Sequence, residues 1–85
     1  MREIYLDVRD LPAPEPLEAV VNALGEVDTG VYIKMHHRQR PNMLFPILKK
    51  NGFDFCIKER DDEVYIFIYL KSDRDLKKEI EDVCK

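Results

Sequence analysis

Residues 64–70 read Val-Tyr-Ile-Phe-Ile-Tyr-Leu, an unbroken apolar run in a chain of 85 residues. A membrane-spanning helix needs about 20 apolar residues, so this run does not span as a helix. A short run rich in β-branched and aromatic side chains is instead the mark of a strand buried on both faces. Such a strand requires paired neighbours and a covering layer above and below. A chain this short forms one domain and buries only about 60–65% of its unfolded surface. The segments around residues 64–70 must therefore supply both covers economically.

Residues 3–8 alternate, with Ile4, Leu6 and Val8 on one face and Tyr5 and Asp7 on the other, which predicts a strand. Pro12, Pro14 and Pro16 follow at alternate positions and favour an extended lead-in, with Pro16 in the first turn of a helix. Leu17, Val20, Val21 and Leu24 then recur at helical spacing, and Gly25 is the expected stop. Residues 31–35 form a second strand, 36–40 a polar loop, and Met43, Leu44, Ile47 and Leu48 a second helix. Asn42 or Arg40 is expected near its cap, and Pro46 falls within its first turn. Phe53, Phe55 and Ile57 alternate inward on a third strand over 53–58, and 59–63 make a charged turn into the two-sided strand. Ser72-Asp-Arg-Asp75 resembles a capping box, and Leu76, Ile80 and Val83 form the stripe of a last helix. On its polar side Lys77/Glu81 and Lys78/Asp82 are spaced as i,i+4 pairs.

The predicted order is β-α-β-α-β-β-α. Its first strand–helix–strand unit implies parallel strands, and its last two strands an antiparallel hairpin. The fold class is α/β: a two-layer sandwich with a mixed four-stranded sheet, residues 1–71, plus a C-terminal helix over 72–85. That helix is expected to pack on the same domain or on a partner subunit.

Charged residues make up 36% of the chain and the formal net charge is −3, which argues against a dedicated nucleic-acid binder. The charge is uneven. Residues 31–53 carry Lys34, Arg38, Arg40, Lys49 and Lys50 and no acid, whereas acids dominate on either side. Cys56 and Cys84 have no CxxC spacing and no neighbouring histidine, so no zinc site is expected. Residues 2–7 read as mature domain and no membrane span is visible, so the expectation is a cytoplasmic protein with reduced thiols.

The stretch from Leu6 to Leu17 (LDVRDLPAPEPL) resembles the opening of TusA/SirA-like domains, and within that fold it is most similar to the domain-of-unknown-function family 2249. Arg40-Pro41, Leu44-Phe45-Pro46 and Leu48 through Phe53 are similar to that family's second helix and following turn, so the resemblance covers about residues 3–70. It implies a β-α-β-α-β-β fold with a mixed four-stranded sheet. In TusA-type sulfur carriers a cysteine precedes the first proline of the Pro-x-Pro pair opening the first helix. Here that position is Ala13, before Pro14, and a methyl group holds no persulfide. The resemblance therefore implies the fold and not the sulfur relay.

Two regions are candidate sites. Arg9, His36, His37, Arg38 and Arg40 leave the C-terminal ends of the two parallel strands, beside two helix N-termini, and are expected either to hold a small anion or to form a solvated basic loop. Adjacent His36 and His37 point opposite ways in extended chain, which spoils chelation, so no metal is expected. The second region is the sheet face carrying Tyr5, Tyr32, Tyr65, Phe67 and Tyr69, with Cys56 beside them. An aromatic patch of that extent calls for cover by the last helix or by a second copy in a homodimer. Stacking on RNA bases is the alternative, with only Lys34 and Lys58 as basic neighbours. Asp61-Asp62-Glu63 reads as a hairpin turn, and no catalytic constellation or cofactor motif is present. The leading expectation is a non-enzymatic accessory module that binds a protein partner or a small anionic ligand. The rivals are a sulfur-transfer or redox protein using an unrecognised cysteine, and an RNA-binding module.

Overall fold

The computed structural model describes residues 1–84. Its elements are β1 (Arg2–Asp7), α1 (Glu15–Ala23), β2 (Val31–His37), α2 (Leu44–Lys50), β3 (Phe53–Arg60), β4 (Glu63–Leu70) and α3 (Arg74–Cys84). The sheet order is β1-β2-β4-β3, with β1 parallel to β2 and the other two pairings antiparallel. This is the mixed four-stranded sheet expected from the alternation. The two-sided strand β4 is internal, hydrogen-bonded to β2 on one side and β3 on the other.

Strand parity divides the core in two. Ile33 and Met35 of β2 and Val64, Ile66 and Ile68 of β4 pack with Val20 of α1 and Leu44 and Leu48 of α2. On the other face Tyr32, Phe67 and Tyr69 pack with Leu76, Ile80 and Cys84 of α3. Each fully buried large side chain contributes roughly 1.5–3 kcal/mol, so both clusters matter in a domain of this size.

Several local expectations are corrected. The second strand runs on through His36 and His37, because each is paired across to β4, His36 with Tyr65 and His37 with Val64. The first two residues of 36–40 are thus strand, and the loop is confined to 38–40. The stripe of α1 is Pro16, Val20 and Ala23, while Val21 is exposed, and the chain tightens into a 3-10 turn at Leu24–Glu26. Met43 is the N-cap of α2 and lies exposed, and neither Asn42 nor Arg40 caps it. Val83 is exposed, and Cys84 takes its place in the buried stripe of α3. The charged turn between β3 and β4 shrinks to Asp61 and Asp62, whose φ angles of 53° and 64° are those of a two-residue hairpin turn. Glu59, Arg60 and Glu63 are strand residues as a result.

The cap of α3 also moves by one residue. Asp73, not Ser72, accepts the Leu76 N–H through Oδ1 at 3.3 Å, and its Oδ2 accepts the Gly30 N–H at 2.8 Å. One carboxylate thereby ties the start of α3 to the entry of β2. Further along, Lys77 of α3 pairs with Asp54 of β3 at 3.6 Å, and Lys58 Nζ donates to the Val83 carbonyl at 3.1 Å.

The far end is tied covalently. Cys56 of β3 and Cys84 form a disulfide, so the expectation of reduced thiols is corrected. Parity places Cys56 on the face beneath α3, and the last turn of that helix sets the two Cα atoms 6.4 Å apart, within bridging range. Arguing from compartment alone misses a pairing that depends on where the helix lands.

Two stability changes follow. Cys84→Ser is expected to cost about 3–4 kcal/mol by loop-closure entropy, read as a lower urea midpoint than the oxidised parent. Asp73→Ala is expected to cost about 1–2 kcal/mol, since both an N-cap bond and the Gly30 bond are lost. Unchanged midpoints under non-reducing conditions would contradict both.

Candidate functional site

His36 and His37 are adjacent in an extended strand, so their rings project to opposite faces of the sheet. Both are buried, at 5% and 9% exposed. The strand-end edge therefore carries two separate clusters instead of one.

On the face shared with α3, His36 sits in a chain of hydrogen bonds. Its Nδ1 lies 2.7 Å from the Tyr5 hydroxyl and its Nε2 lies 2.9 Å from Glu63 Oε2. The Tyr65 hydroxyl donates to the same Glu63 oxygen at 3.1 Å, and Arg9 Nη1 donates to Glu63 Oε1 at 3.0 Å. Arg9 also forks onto Asp7, at 2.9 Å and 2.8 Å. The His36 ring stacks on Tyr65 with centroids 4.3 Å apart. The bond from His36, then that from Tyr65, holds the Glu63 carboxyl below its usual range. The paired guanidinium of Arg9 does the same to Asp7, and Glu63 in turn pushes the Tyr65 phenol up.

On the opposite face, His37 lines a groove of about 400 Å³ between the starts of α1 and α2. Leu11, Pro14, Leu17, Pro41 and Met43 supply apolar wall, and Gln39, Arg40 and Asn42 supply polar wall. The Arg38 and Gln39 backbone N–H groups donate to His37 Nδ1, at 2.8 Å and 3.4 Å. A nitrogen that accepts carries no proton, so the ring proton is on Nε2. Burial pushes the imidazole pKa down, which agrees with a neutral ring. His37 thus presents an N–H donor held in one tautomer.

The residues expected at an anion site are divided accordingly. Arg9 and His36 stand on one face, His37 and Arg40 by the groove on the other. Each arginine has a carboxylate partner: Asp7 and Glu63 for Arg9, Asp10 at 3.3 Å for Arg38, and Glu59 for Arg40. The aromatic face is divided too. Tyr32, Phe67 and Tyr69 lie beneath α3, whereas Tyr5 is half exposed beyond its edge. Burial, and then the bond to Glu3, push the Tyr32 phenol up to about 12. No group of three or more metal-ligating side chains occurs among the described residues.

Glu63 is the residue that sequence reasoning missed. Read as part of a turn it has no fixed direction. Extending β4 back by one residue gives it the parity of Tyr65, Phe67 and Tyr69, and that places it beside His36.

A pH dependence follows from His37. Its unfolded pKa is about 6.5 and its folded pKa is lower. Below about 6.5 the unfolded chain binds a proton that the folded one does not, so stability falls with pH. The carboxylates of Asp7 and Glu63 act later, losing their contribution only as pH falls below about 4. Urea unfolding at pH ~7 and ~5 should therefore show a loss for the parent that His37→Gln reduces. Equal losses in the two proteins would contradict a buried neutral His37.

The family model described as "Uncharacterized conserved protein (DUF2249)" matches residues 5–69. That span takes in both histidines, Glu63 and the whole groove, and it stops before α3. No curated protein and no solved structure matches the chain. On this match over most of its length, the chain belongs to the DUF2249 family of uncharacterised conserved proteins.

Proposed function

We propose that this domain is a binding module whose site is the groove between α1 and α2. Its ligand is a small molecule with an anionic, carboxylate-type head and an apolar body. The observation that carries this reading is His37: a ring on a residue 9% exposed, with Nδ1 engaged by two backbone amides and its Nε2–H at the groove without a partner among the described residues. That N–H is reachable from the groove, so an acceptor oxygen from a ligand or from solvent can pair with it. Arg40 lies at the same wall with Glu59 as its carboxylate partner, so its guanidinium is shared between that partner and a ligand head, and Leu11, Leu17 and Met43 offer apolar contact to the rest of the ligand. The lining residues include no cysteine, serine or carboxylate, so binding rather than chemistry is what the groove supports. A protein partner seated over the groove is a second reading, favoured by Met43, 79% exposed, and Leu11 at the rim.

The test is a titration of the intact protein followed by amide chemical shifts, with hexanoate as an amphipathic probe and inorganic phosphate as a head-only probe. Hexanoate should shift residues 11–17 and 37–44 selectively and bind more tightly than phosphate. His37→Ala should weaken it about tenfold or more, the usual worth of a bond to a charged group. Affinity should be level between about pH 6.5 and 8, because the donor is already neutral. Uniform shifts, or binding that survives the loss of His37, would overturn the proposal.

A further inference from the structure

The cluster on the other face of the sheet has the arrangement of a base-activated nucleophile, and it shares no residue with the groove. His36 is dry, with its side chain 6% exposed, whereas the Tyr5 phenol it bonds is 50% exposed. The Glu63 carboxylate accepts hydrogen bonds and cannot donate them, so the proton between it and His36 belongs to Nε2. In the neutral ring the Nδ1 lone pair then accepts the Tyr5 O–H at 2.7 Å. Glu63 is itself fixed by Arg9 and Tyr65, and the imidazole by stacking on Tyr65. A hydroxyl on a half-exposed residue, a base within hydrogen-bond reach and a third group orienting that base are the three parts of nucleophilic catalysis. A phenol is a stronger acid than an aliphatic hydroxyl and yields its proton to such a base more readily.

We propose that Tyr5 is a nucleophilic site for acyl transfer from activated carboxylic esters, with His36 as its general base and Glu63 as the residue that positions His36. Tyr5 Oη forms a bond to the ester carbonyl carbon while its proton passes to His36 Nδ1. The bond from that carbon to the leaving alcohol or phenol oxygen then breaks, and the leaving group takes the proton from His36. Water hydrolyses the aryl ester in the same way and restores Tyr5. No oxidant or further reactant is needed. Lys34 neighbours Tyr5 in the β1–β2 register and its ammonium lies 5.1 Å from the Tyr65 ring centroid. It has no carboxylate partner among the described residues, and so adds positive charge to the face where the carbonyl oxygen becomes negative.

The test uses the intact protein and 4-nitrophenyl acetate, with nitrophenolate release for the rate and peptide mass mapping for the site. Tyr5 should be acetylated at least ~100-fold faster than N-acetyl-tyrosinamide at neutral pH, the scale of general-base assistance. Tyr5→Phe should abolish that label, and His36→Gln should bring the rate to that of the reference compound. In Glu63→Gln the Arg9 donor holds the amide oxygen on its side, so the NH2 faces His36 Nε2 and the ring proton moves to Nδ1. The tautomer change is visible in the ring nitrogen shifts, and the rate should fall while the amide spectrum keeps its dispersion. Glu63→Asp should recover part of it. Wild-type Tyr5 reacting no faster than the reference would overturn the proposal without recourse to any variant. Acetylation of His36→Gln and Glu63→Gln at the parent rate would also overturn it, because the reactivity would then follow exposure alone.

Discussion

Burial of β4 on both faces is the constraint on which the other elements depend. Val64, Ile66 and Ile68 need cover on one side, and Phe67 and Tyr69 on the other. An internal strand also has to satisfy its backbone N–H and C=O groups through two neighbours, here β2 and β3. With 85 residues the chain has one β-α-β-α segment for the first cover and eleven helical residues for the second. A helix that short is marginal alone, since nucleation is costly and few turns follow to offset it. It is held instead by packing, by Asp73 at its start and by the Cys56–Cys84 bond at its end.

The length of α3 also decides where chemistry can lie. The helix reaches Tyr32, Phe67, Tyr69 and Cys56 but leaves the β1 side of that face open. Tyr5, His36, Glu63 and Arg9 occupy the uncovered part, near enough to water for a phenol to react and buried enough for the imidazole to be dry. On the reverse face, α1 and α2 diverge at the same strand ends and leave the groove at His37. Both sites come from one rule of strand geometry, that adjacent residues face opposite ways. The open crevice beyond the carboxyl ends of parallel strands is the usual place for ligands in α/β folds.

Charge pairing changes the meaning of the basic segment. Arg38 and Arg40 look like an anion-attracting group when read along the chain, because residues 31–53 contain no acid, and the inferred parallel strands bring Arg9 to the same edge. In the fold the hairpin of β3 and β4 brings Glu59 and Glu63 to that edge, while the end of β1 brings Asp7 and Asp10. The exposed pairs among these contribute little to stability. Their effect is on function: they cancel much of the local field and leave His37, a neutral donor, as the more distinctive group at the groove.

Element types, their order and the inward face of each strand were legible from the chain. Alternation at Ile4/Leu6, at Ile33/Met35 and at Phe53/Phe55/Ile57 follows from the two-residue period of extended backbone, which needs no tertiary information. The presence of a cover for β4 was legible as well, because seven adjacent apolar residues cannot face water. Element ends were less so, since they depend on partners: β2 gains His36 and His37 through Tyr65 and Val64, and α3 is capped by Asp73, whose carboxylate also accepts from Gly30. The disulfide, the Arg9–Glu63 ion pair and the Tyr5–His36 and His36–Glu63 bonds join residues 28, 54, 31 and 27 positions apart. Contacts at such separations are set by sheet order and register, which are collective outcomes of packing. Local pattern thus decided what each segment becomes and which way its side chains point. Tertiary structure alone decided which polar groups meet, because hydrogen bonds need their partners within about 3 Å and no periodicity in the chain encodes that distance.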